Sequence, residues 1–101
     1  MYKGSTPTHY FNNIPVDTSR IKELKITYSQ KDKEIFAKRK EDCIIEDGKI
    51  TTSLSQEETF MFEPDKFVSI QIRILMDDGA VLPSKIMMTS VEKCLDKEIL
   101  K

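Results

Sequence analysis

The chain has 101 residues, and its 16 basic and 17 acidic side chains leave a net charge of −1 with no long block of one sign. That length holds one hydrophobic core and no second, and a near-neutral balance excludes recognition of nucleic acid through a strongly basic face. Apolar residues at 39% and charged residues at 33% lie well away from a disordered composition, and no apolar run reaches the length of a membrane span.

Residues 1–7 are mostly polar, with Gly4 and Pro7 as breakers, and read as a loose arm. Met1-Tyr2-Lys3-Gly4 leads into no signal-peptide core, so the bacterial cytoplasm is the expected compartment. Thr8 to Asn12 reads as a first short strand, with either Tyr10 inward or His9 and Phe11 inward. Asn13-Ile14-Pro15-Val16 is a corner, and Asp17-Thr18-Ser19-Arg20 has the form of one capped helical turn. From Lys22 to Ser29, Leu24, Ile26 and Tyr28 alternate with Lys25, Thr27 and Ser29, as a half-buried strand requires. A polar turn at Gln30-Lys31-Asp32-Lys33 leads to a strand over Glu34 to Arg39 with Ile35 and Ala37 inward, although Phe36 breaks that parity. Cys43-Ile44-Ile45 then meets Asp47-Gly48, a hairpin signal, and the chain returns through Ile50, Thr52 and Leu54.

Ser55 and Glu58 stand at capping-box spacing, which predicts one or two helical turns crossing from one sheet to the other. After Pro64-Asp65 comes the clearest strand, Phe67 to Met76. Val68, Ile70, Ile72, Ile74 and Met76 share one parity, and Ser69, Gln71 and Arg73 the other. The first set is expected in the core with Leu24, Ile26, Ile50 and Leu54. Asp77-Asp78-Gly79 turns the chain back into Ala80 to Val91, where Pro83-Ser84 marks a bulge, an edge or a switch between sheets. The tail reads equally as a short helix or a frayed extension, with 96–101 outside the core. About seven strands with a turn signal every 8–12 residues predict an all-β fold. The expected architecture is a single antiparallel two-layer immunoglobulin-like sandwich spanning 1–101.

Chemistry is sparse. His9 is the only histidine, and no Gly-x-Ser-x-Gly elbow accompanies it. Cys43 and Cys94 match no zinc or redox spacing and read as free thiols. Asp77-Asp78 reads as a turn rather than a cation site, and Glu57-Glu58 as a complement to a helix N-terminus. Three glycines build no phosphate-cradling loop. No catalytic, metal or cofactor residue is therefore assigned. Phe60, Met61, Phe62, Phe67, Met76, Met87 and Met88 concentrate large adaptable side chains in the second half. They read as soft core filling, or as an apolar patch covered by a neighbouring subunit. In the second reading the candidate patch is Phe60, Met61 and Phe62, with the interrupted strand at Pro83 as an open edge.

Several stretches, in order along nearly the whole chain, resemble a family of small proteins from tailed-phage and prophage structural modules of Gram-positive bacteria. They are Ser5-Thr6-Pro7-Thr8-His9-Tyr10-Phe11, Asp17-Thr18-Ser19-Arg20-Ile21, Ile26-Thr27-Tyr28-Ser29-Gln30 and Leu54-Ser55-Gln56-Glu57-Glu58-Thr59. Ile70-Gln71-Ile72-Arg73, Asp78-Gly79, Ser84-Lys85-Ile86 and Ser90-Val91-Glu92 complete the set. The layout is more distantly similar to the N-terminal β-sandwich domain of phage baseplate upper proteins, without their long C-terminal extension. The resemblance implies a non-enzymatic tail or baseplate component, assembled in the cytoplasm and then part of the virion. Such a component works by contact with itself or with other structural proteins. A carbohydrate- or cell-surface-binding sandwich is the alternative, for which Tyr2, Tyr10 and Tyr28 supply the aromatics.

Overall fold

A computed structural model describes residues 1–101. The strands are β1 (Thr8–Phe11), β2 (Ile21–Gln30), β3 (Lys33–Arg39), β4 (Cys43–Glu46), β5 (Lys49–Ser53), β6 (Phe67–Met76), β7 (Val81–Pro83) and β8 (Met87–Ser90). One short helix, α1 (Gln56–Phe60), and 3-10 turns at Thr18–Arg20 and Lys40–Asp42 complete the elements. β1-β5-β4 form one sheet, and β3-β2-β6 form the other with β7 and β8 both on the far side of β6. Every strand pair is antiparallel. The protein is thus an all-β sandwich of two sheets, and the β1–β2, β3–β4 and β5–β6 connections each cross between them.

Eight strands appear where about seven are expected, because the return strand after Gly79 is cut in two. Proline lacks an amide to donate, so regular pairing stops after Pro83. Ser84 bridges the gap: its amide donates to Ile72 O at 2.7 Å, and its Oγ accepts from Ile72 N at 3.0 Å. The chain stays on the same sheet and resumes pairing at Met87, so the proline marks a broken edge and no switch.

Alternation in β6 buries Val68, Ile70, Ile72, Ile74 and Met76 and leaves Ser69, Gln71 and Arg73 outward. Leu24, Ile26, Tyr28, Ile50 and Leu54 join them in one core, with Phe11 from β1. His9 and Phe11 therefore face inward and Tyr10 outward. In β3, Ile35 packs against the core as expected, but Ala37 does not, and Phe36 takes the inward place. The β2–β3 register pairs Tyr28 with Phe36 and slips between Tyr28 and Ser29, which leaves Ile35 in a bulge. Phe36 consequently faces the core, stacked on Tyr28 at 4.9 Å, while Ala37 lies opposite Thr27 on the outer face.

Turns behave as their residues dictate. Asp17 Oδ1 accepts from Ser19 N at 3.0 Å. Ser55 and Glu58 exchange capping bonds at 2.8 and 3.1 Å. The arm, by contrast, is docked. Lys3 N donates to Glu92 O at 3.1 Å and Glu92 N to Met1 O at 2.8 Å, around a parallel bridge between Tyr2 and Glu92. Gly4, at φ +78°, lies against Phe60 so closely that a Cβ there would stand 2.6 Å from Phe60 Cζ. The tail forms neither helix nor strand and is tied down at its end. The Gln56 side-chain amide donates to Leu100 O and accepts from Leu100 N, at 2.8 and 2.9 Å.

Candidate interaction surfaces

The fold disperses the expected patch of Phe60, Met61, Phe62 and Pro83. Beyond Phe60 the chain keeps winding, with Met61 N donating to Glu58 O and Phe62 N to Thr59 O. Residues three apart on a helical turn share a side, so Thr59 and Phe62 both point inward and are fully buried. Phe62 packs against Phe36 and Tyr28, with ring centroids 5.3 and 6.3 Å away. Phe60 is half-buried under Gly4. Only Met61, at 53%, and Pro83 on the edge strand remain open to solvent. The sequence signal for this inward turn is the Thr59–Phe62 spacing, read as a continuation of α1.

A different apolar group is exposed instead. Phe67 pairs with Ser90 and Ser69 with Met88, which places Phe67 and Met88 diagonally across adjacent strands on the outer face of the larger sheet. Phe67 is 61% exposed, Met88 62% and Ile86 63%. Ile86, Thr27, Ser29, Ser69 and Gln71 line a shallow depression of ≈ 110 Å³ on that face. β8 is an edge strand with no strand on its far side. The arm covers its Ser90 end, where the Met1 amine donates to Ser90 O at 3.0 Å, and the edge at Met88 stays open. On the other sheet, Tyr10 and Ile44 are exposed on the outer face, and Lys49 Nζ sits 5.3 Å from the Tyr10 ring centroid. A groove of ≈ 530 Å³ runs past Tyr10, Phe11, Asn12, Asn13, Pro15 and Met87.

The chemistry-bearing side chains are occupied structurally. His9, Thr52 and Cys43 lie in adjacent register across β1, β5 and β4. His9 Nδ1 bonds the buried Tyr28 hydroxyl at 2.8 Å and so ties the two sheets together. Burial lowers the His9 pKa and raises that of Tyr28, favouring a neutral ring and a protonated phenol. Cys43 Sγ donates to Arg39 O at 3.2 Å, and burial raises its pKa, so the thiolate is disfavoured. Burial also pushes the Glu58 carboxyl up, but Lys38 Nζ at 2.7 Å and the Ser55 amide outweigh it and hold the pKa below its ordinary value. Arg20 grips Asp77 at 2.9 and 3.1 Å, which gives the Asp77-Asp78 turn an intramolecular cation. Cys43 and Cys94 are free thiols. No group of three or more His, Cys, Asp and Glu side chains converges. No helix is long and apolar enough to cross a membrane.

No protein-family model matches the chain, and no curated protein or solved structure matches it either.

Proposed function

We propose that this chain is a non-enzymatic structural or assembly protein of the tail or baseplate region of a phage or prophage, acting by protein–protein contact. The observation that carries the contact is the apolar group Phe67, Ile86 and Met88 beside the stretch of the β8 edge that the arm leaves open. Exposed apolar side chains next to free backbone donors and acceptors suit both face packing and strand addition. The phage setting rests on the sequence resemblance. Partners are further copies of the chain or neighbouring virion proteins, met during assembly in the bacterial cytoplasm.

A specific contact buries on the order of 1,000 Å² or more. Light scattering of the wild type, alone and mixed with the tail proteins encoded by neighbouring genes, tests the reading. Phe67→Asp combined with Met88→Lys should weaken association while the circular dichroism stays unchanged. A wild type that remains monomeric in every mixture defeats the proposal. A second reading, a carbohydrate-binding sandwich, is favoured by one feature: exposed Tyr10 shares its groove with Asn12 and Asn13, an aromatic face beside planar amides. A glycan screen in which Tyr10→Ala abolishes binding would support it.

A further inference from the structure

We infer that the cleft enclosed by the arm, α1 and the tail docks an acidic peptide segment of a partner protein, one with an apolar side chain between its carboxylates. This inference rests on the protein-contact reading above and names the chemistry of one partner. The cleft has a volume of ≈ 580 Å³, and its lining includes Lys3, Lys93, Lys97, Phe60, Cys94 and Ile99. The lining thus holds three lysines and one carboxylate residue, Glu57. None of the three takes part in an ion pair. Asp96 and Glu98 lie close in sequence, and Asp96 Oδ1 accepts from the Glu98 amide.

The walls are held in place. The Tyr2–Glu92 bridge fixes Lys3 beside the segment that carries Lys93. Contact with Gly4 fixes the Phe60 ring, and the Gln56–Leu100 bonds pin the tail across the cleft. Unpaired positive charge around an apolar floor is complementary to negative charge around an apolar side chain. A cleft of this volume is within the range of ligand sites, and its open side admits a chain.

The probe is a fluorescein-labelled peptide of glutamates flanking a central phenylalanine and leucine, followed by anisotropy. The intact protein should bind it, and a glutamine-for-glutamate peptide should bind at least about fivefold more weakly. Lys93→Gln with Lys97→Gln should weaken binding by about five- to tenfold, as should raising salt to about 0.5 M. Ile99→Ser should weaken it through the apolar contact. Equal binding by the lysine variant, no binding at millimolar peptide, or preference for octanoate or anionic vesicles over the peptide would each overturn the inference. Self-association through β8 is read separately in the lysine variant. If it persists while the peptide fails to bind wild type, only this inference falls.

Discussion

Phe62→Asp and Phe67→Asp make the same chemical change five residues apart, and the fold assigns them opposite outcomes. Phe62 is 1% exposed and packed against Phe36 and Tyr28. Losing its ring costs about 3–5 kcal/mol by the usual figure for a buried phenylalanine. The new carboxyl must then be buried as an ion or take up a proton. Neutralising an aspartate of ordinary pKa 3.9 at pH 7 costs about 4 kcal/mol at 1.36 kcal/mol per unit. The total of about 7–9 kcal/mol compares with a whole stability of about 5–15 kcal/mol for a domain of this size. Phe62→Asp should therefore be unfolded or nearly so at 25 °C. Phe67 is 61% exposed on the outer face, and its replacement should change stability by no more than about 0.5 kcal/mol. Far-ultraviolet circular dichroism with a urea titration reads both variants. A Phe62→Asp protein that melts with a wild-type midpoint would refute the inward turn after α1, and with it the dispersal of the expected patch.

Ile72→Ala, at 2% exposure in the middle of β6, removes about three methylene equivalents, or about 2.4 kcal/mol of transfer energy. With a partial cavity term the loss should be about 2.5–4 kcal/mol by urea titration, and a loss under about 1 kcal/mol would show that the site is not packed. Lys31 and Asp32 both adopt positive φ, 51° and 61°, in the two-residue hairpin loop between Gln30 and Lys33. Asp32→Gly should therefore stabilise by about 0.5–1 kcal/mol and raise Tm by a few degrees, and a lowered Tm would count against strain at that loop. The lowered His9 pKa makes the unfolded state the better proton acceptor. Its contribution is full above the unfolded value near pH 6.5 and is lost as pH falls from there to the folded value. The urea midpoint should drop over this window in wild type and stay flatter in His9→Gln; identical profiles would remove His9 as the source.

Sequence legibility followed the range of the interaction. The β6 register is set by side chains two apart, and the capping box by two side chains and their own amides, so both are written locally. The β3 parity is not: Ile35, Phe36 and Ala37 allow either face, and the choice is made by the slip opposite Tyr28 and Ser29. Phe36 gains the stacking contact with Tyr28, and Ile35 takes the bulge. The arm and tail failed to read as ordered for the same reason. Neither has a periodic pattern, and each is held by partners far along the chain, Glu92 for the arm and Gln56 for the tail.

The interaction surfaces show this dependence most sharply. Parity alone puts Phe67 with Ser69 and Gln71 on the outward side of β6, so half of the exposed pair is legible. Met88 joins it only because the chain passes Pro83 without leaving the sheet and resumes pairing with Ser69 opposite Met88. A resumption one residue out of step would have turned Met88 into the core and Met87 outward. The lysine cleft is assembled from residues 3, 93 and 97, none of which lies in a block of like charge. Their proximity follows from a single bridge between Tyr2 and Glu92, which no local propensity encodes. Composition registers only their sum, a near-neutral chain, and averages away the local excess on which the docking inference depends.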